Sequence, residues 1–276
     1  MKEMTIRDIQ MVCLNILKDV HEFCVENNIK YTLFSGTLLG AIRHKGFIPW
    51  DDDLDIALTR PEYEKFIRLY KSNKGYKLFA RERQGKNVFL SYARICEMDK
   101  TFADDSYFPW TNEKKGVWID VFPLDGAESN YVLAVKDCEK MFKIWNRSTS
   151  IRLSMAPLSL RHSFIGKTKL LIRKIQYSVN KDKWNIWDKH IAMCKRIPFN
   201  DSDYYCHYAW AGWKMKEYYE TSAFKDYIML PFEDGEFYVM QGYDGALRAK
   251  YGNYMQLPPE NERIPQHSVN KYYWKE

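Results

Sequence analysis

The sequence lacks a paired-cysteine pattern. Its six cysteines, Cys13, Cys24, Cys96, Cys138, Cys194 and Cys206, are scattered without a single Cys-x-x-Cys. That spacing excludes a small zinc module and points to reduced thiols in a reducing compartment. No run of 18 apolar residues occurs, so no membrane-spanning helix is expected. At the N-terminus Lys2 and Glu3 lead into an amphipathic pattern and no apolar leader is visible; a cytoplasmic protein is the expectation. What is abundant is apolar and aromatic residues, 46% and 16% of 276 residues, enough for one large folded domain or two small ones. The net charge is only +6. It is unevenly spread: residues 141–200 hold 13 Lys and Arg against 2 Asp and Glu.

The chain is organised around Ser35 to Leu58, SGTLLGAIRHKGFIPWDDDLDIAL. Asp51, Asp53 and Asp55 alternate with Leu54, Ile56 and Leu58, and this period of two reads as a half-buried strand carrying three carboxylates on one face. Neighbours there would lie about 6–7 Å apart and repel one another, a conflict that a hard divalent cation, Mg2+ or Mn2+, resolves. Upstream, an apolar run Tyr31–Phe34 leads through Ser35-Gly36-Thr37 into a short helical segment, Leu38–Arg43. Gly36 permits close approach or positive φ, and a helix starting at Thr37 would aim free amides at an anion. Arg43, His44 and Lys45 add positive charge. A phosphate seat followed by carboxylate metal ligands suits phosphoryl or nucleotidyl transfer. An EF-hand would use Asp51, Asp53, Asp55 and Glu62, but Ile56 stands where glycine is needed and Pro61 precedes the Glu. A solvated acidic turn is the other alternative.

Elsewhere, Ile6 to Cys24 carries apolar residues at helical spacing with Thr5 as cap, and Thr59 can cap a helix from Pro61 to about Ser72. Segments 76–80 and 88–96 read as strands, and Asn130 to about Ser148 as a helix. Arg94 reads on its own as a surface charge. Asp120, alone in the apolar run Gly116–Leu124, needs a cation if buried, or caps a turn at the strand's end. Asp125-Gly126 is a turn signal. The basic stretch 152–183 fits an anionic membrane surface, a solvated face or a nucleic-acid patch; no recognition motif accompanies it, so nucleic acid is not expected as a partner. Tyr204, Tyr205, Tyr208, Trp210 and Trp213 could form a cage for a quaternary ammonium group, with Trp50 and Trp118 as rivals, or serve as core aromatics.

The run Gly36-Thr37-Leu38-Leu39-Gly40-Ala41, Arg43-His44, Gly46 and Pro49-Trp50-Asp51-x-Asp53-x-Asp55 resembles the signature of the LicD family, within the DNA polymerase β-like nucleotidyltransferases. Ile119-Asp120-Val121-Phe122-Pro123-Leu124-Asp125-Gly126 and Tyr251-Gly252-Asn253-Tyr254-Met255 to Pro259 resemble its later motifs. The chain departs from the family at Phe237–Met240, where a Val-Pro-like pair is usual, and His267 stands where many relatives keep a His. The resemblance implies an α/β (α+β) fold, a nucleotidyltransferase-like mixed sheet flanked by helices, with a basic helical middle. One catalytic domain over 1–276 is expected: a core to residue 128, the basic segment 129–200, and an aromatic-rich segment 201–276 packed back on the core. It further implies transfer of phosphocholine from CDP-choline, or of another phospho-alcohol from a related CDP-alcohol, to a lipid-linked glycan acceptor. Nucleotidyl transfer and a non-catalytic glycan-binding protein are the alternatives. Asp53, Asp55 and Asp120 would be catalytic and, with Asp51, metal-binding. Ser35, Gly36, Thr37, Arg43, Arg94 and Trp50 would bind the donor.

Overall fold

The computed structural model describes residues 1–104, 111, 113–160, 163–178, 183–212, 214–265 and 271–276. Its strands are β1 (Lys2–Glu3), β2 (Thr32–Leu33), β3 (Asp55–Thr59), β4 (Lys77–Phe79), β5 (Ala93–Cys96), β6 (Thr101–Asp104), β7 (Trp118–Ala127), β8 (Tyr204–Cys206), β9 (Tyr218–Glu220), β10 (Tyr227–Phe232), β11 (Gly235–Met240) and β12 (Lys271–Trp274). The helices are α1 (Ile6–Glu26), α2 (Ser35–His44), α3 (Arg60–Leu69), α4 (Arg81–Gln84), α5 (Tyr131–Met155), α6 (Phe164–Ser178), α7 (Ile186–Cys194) and α8 (Tyr243–Tyr251). The fold is α+β, with a mixed central sheet ordered β2-β3-β7-β5-β4.

Only the β3–β7 pairing in that sheet is parallel; β2, β5 and β8 join antiparallel to their neighbours. β7 is the spine. Its first half lies between β3 and β5, and its last three residues pair with β8, to which β9 adds. α1 begins in a capping box, Thr5 N donating to Asp8 Oδ2 (2.9 Å) and Asp8 N to Thr5 Oγ1 (3.1 Å). Its stripe from Ile9 through Val12, Cys13, Ile16, Leu17 and Val20 to Cys24 is buried in the main core with Leu33, Ile56, Leu58, Ile119 and Val121. β1, β12 and β6 form a second small sheet, and β10–β11 a hairpin.

Three expectations from the sequence need correction. The acidic alternation is not one half-buried strand: residues 51–54 are irregular, and β3 begins at Asp55. β3 is buried on both faces from Ile56 to Thr59 because it is an interior strand covered by helices, so the period of two came from a lead-in segment joined to a fully buried strand. Asp125-Gly126 is not a turn but the continuation of β7, where Asp125 is wholly buried and bonded by Arg60 through Nε (2.6 Å) and Nη2 (2.9 Å). A buried arginine fork satisfies the carboxylate and removes its need for a turn. The helix after Asn130 runs on to Met155, its first turn capped by the Asn130 side chain accepting from Val132 N and Leu133 N. Cys13, Cys24, Cys96, Cys138, Cys194 and Cys206 are all free and buried.

Candidate active site

Register across the sheet sets the site. Asp55 of β3 stands opposite Asp120 of β7, and Asp120 opposite Arg94 of β5. Residues in register on adjacent strands point to the same face, so the three form one row at the sheet's end. Asp55 and Asp120 of this row line a cleft of about 830 Å³ together with Asp51, Asp53, Ser35, Gly36, Arg43 and Lys250. Local bonds hold the acidic segment in place. Asp55 N donates to Thr37 Oγ1 (2.9 Å), Asp120 N to Leu54 O (3.0 Å), and Gln10 Nε2 to Asp51 O (2.8 Å).

The anion side is built differently from its sequence pattern. α2 begins at Ser35, and it is Ser35, not Gly36, that takes the left-handed conformation (φ 50°). Gly36 lets the Asp51 carboxylate come close: a Cβ there would lie 2.7 Å from Asp51 Oδ2 and displace it. Thr37 is buried and fastens β3, while Ser35 and Gly36 face the cleft. Arg43 lines the cleft but also donates to Tyr254 O (2.9 Å) and Gln256 O (3.3 Å), tying down the segment after α8. Arg94 grips Asp120 with Nε (2.5 Å) and Nη2 (3.3 Å), its guanidinium 4.4 Å from the Trp118 ring centre. It lines a small separate cavity with Asp52, Asp53 and Trp118, not the main cleft.

Charge is concentrated here. Burial, then Asp53 and Asp120, push the Asp55 carboxyl well above its ordinary range, with Lys250 pulling the other way. Four carboxylates lining one cleft, one of them held back from ionising by burial and then by its neighbours, are a hard-oxygen donor set of the kind Mg2+ and Mn2+ take. In this conformation Asp120 is turned onto Arg94, and among the described residues no three His, Cys, Asp or Glu side chains are yet gathered tightly enough to enclose an ion.

Sequence reading missed the groups that balance these acids. Lys250 of α8, nearly buried, donates to Glu217 Oε1 (2.6 Å) and to Ser35 Oγ. Glu217 Oε2 accepts from His207 Nδ1 (2.9 Å). Burial works to raise the Glu217 carboxyl, but His207 and Lys250 outweigh it and hold it at about 2. No local signal marked them: Glu217 closes a short 3-10 turn, and Lys250 fills an unremarked place before Tyr251-Gly252.

The aromatic segment is mostly structural. Tyr204 stacks on Tyr218 (4.6 Å between centres) and Tyr205 on Phe199 (4.2 Å), while Tyr208 is buried in a separate small core. Trp118 lies under Arg94. Of the cage candidates, Trp50 and Trp210 line the cleft, joined there by Tyr251 and Tyr254. Trp213 and His267 lie outside the described residues.

Against known families, residues 28–144 match the family described as LicD/FKTN/FKRP, nucleotidyltransferase domain. The whole chain is 32% identical over 278 residues to the lipopolysaccharide cholinephosphotransferase LicD of Haemophilus influenzae, covering 99% of each. The chain belongs to the LicD family. Uncharacterized proteins of Rickettsia typhi (29% over 207 residues, 69% of this chain and 65% of the relative) and Rickettsia prowazekii (34% over 183 residues, 57% and 64%) are further relatives. The family match spans α2, the Asp51–Asp55 segment, the Asp55–Asp120 pairing and Arg94, but stops before Glu217 and Lys250.

Proposed function

We propose that this LicD-family chain transfers phosphocholine from CDP-choline to a hydroxyl of a cell-surface glycan precursor, of lipopolysaccharide or teichoic acid type, releasing CMP. The observation that carries the reading is the Asp55–Asp120 pairing in a cleft that Ser35, Gly36, Arg43 and Lys250 also line. Full-length similarity to a named cholinephosphotransferase supports the cargo.

Asp53, Asp55 and Asp120, with Asp51 in support, would hold Mg2+ or Mn2+, which when bound offsets charge on the donor's diphosphate. The amides at Ser35 and Gly36 meet the phosphate oxygens, with Lys250 and Arg43 as the nearby cations. Glu217 keeps the Lys250 ammonium aimed at Ser35, and His207 keeps Glu217 in place. Arg94 acts through Asp120 by fixing its rotamer, so the phosphate-contact role first given to Arg94 passes to Lys250. Asp120 takes the proton from the attacking hydroxyl. Trp50, Trp210, Tyr251 and Tyr254 offer ring faces to the choline ammonium. Six buried free thiols and a soluble nucleotide donor support a cytoplasmic setting.

The test is a screen of CDP-choline, CDP-ribitol and CDP-glycerol for CMP release with Mg2+ and with a chelator present. Release from CDP-choline that the chelator abolishes supports the reading. Release only from another CDP-alcohol overturns the cargo, and release indifferent to the chelator overturns the metal.

A further inference from the structure

α6 wears its apolar side chains outward. Phe164 (84% exposed), Ile165 (67%), Leu171 (47%), Ile172 (60%) and Ile175 (60%) are all exposed, and at 3.6 residues per turn they share one face with Thr168. Leu170, on the opposite face, is the buried one. The Thr168 hydroxyl on the outward face donates to Phe164 O (3.0 Å), so it asks nothing of water. Lys167 and Lys169 flank the apolar strip, with Arg173 and Lys174 behind. A soluble surface helix has the reverse arrangement, apolar residues inward and charge outward. An exposed apolar strip of this size marks a contact surface.

We infer that α6 is an interfacial helix that lies on an anionic lipid surface, its apolar face among the acyl-chain ends and its lysines among the headgroups. Charge decides the occupant. The strip sits in residues 152–183, where eight Lys and Arg stand against one Asp. Two copies meeting through this face would bring their flanking lysines together, which repels, whereas acidic headgroups complement them. No described helix is long and apolar enough to cross a membrane, so contact is by lying on the surface. This inference rests on the exposure and charge of one helix and stands apart from the reaction.

The test is flotation of the full chain with vesicles of phosphatidylglycerol mixed with phosphatidylcholine, and with phosphatidylcholine alone, alongside light scattering to give the mass in solution. The chain is expected to float with the anionic vesicles and to be released as salt rises. Ile172→Glu, and separately Phe164→Glu, should cut binding on the order of tenfold with the circular dichroism spectrum unchanged. Lys167→Gln should weaken it roughly fivefold, on the anionic vesicles only. No flotation, flotation indifferent to both Glu variants, or a dimer in solution that Ile172→Glu dissociates would each overturn the inference.

Discussion

β7 carries two aspartates five residues apart, and the fold treats them in opposite ways. Asp125 has no exposure, and the Arg60 fork meets both of its oxygens. Asp120 keeps some exposure, is held by Arg94, and faces a second carboxylate, Asp55, across the strand pairing. A carboxylate whose two oxygens are both taken by one arginine has little left to bind with. Two acids side by side in register, with a third and fourth beside them, are an arrangement that folding alone does not favour and that a cation relieves. We therefore propose the Asp120 end of the strand for chemistry and the Asp125 end for stability.

That contrast can be broken most sharply by removing each acid in turn. Asp55→Ala and Asp120→Ala should each lower CMP release from CDP-choline on the order of a thousandfold or more while the thermal midpoint holds or rises. Asp125→Ala should do the reverse: it leaves the buried Arg60 with only Glu82, 3.8 Å from Nη1, so urea unfolding should show a loss of roughly 3 kcal/mol. Equal loss of stability at both ends, or lost turnover without lost stability at Asp125, would dissolve the distinction. A smaller effect is expected at Lys250→Met, a roughly hundredfold drop in kcat/KM, with part of the rate restored by Lys250→Arg. The smallest lies in the acid limb of stability. Glu217 is held at about 2 against an ordinary 4.5, so it stabilises the fold above 4.5, and that contribution fades as pH falls from 4.5 through about 2. Thermal melts of Glu217→Gln across that window should be flatter than those of the parent chain.

The Asp120 end was legible because its residues are close in sequence or stand out against an apolar run. Alternation from Asp51 to Leu58 and a lone Asp in Gly116–Leu124 were enough to bring two distant segments to one row. The same period-two rule misjudged burial, since an interior strand hides both faces and only Asp55 escapes. Asp125-Gly126 looked like a turn because its partner, Arg60, is supplied from another helix. Lys250, Glu217 and His207 come from three places with no shared spacing, so only folding assembles them. In α6 the charge was visible, but not which face turns outward: helical periodicity is the same whether an apolar stripe meets core or solvent.

The most direct measurement is a Mn2+ titration followed by electron paramagnetic resonance on the parent chain, Asp55→Asn, Asp120→Asn and Asp125→Asn. Tight Mn2+ uptake that is lost in the first two variants and kept in the third is the expected result. Uptake unchanged by Asp55→Asn and Asp120→Asn, or absent from a folded parent chain in the presence of CDP-choline, would contradict a cation shared across the β3–β7 pairing.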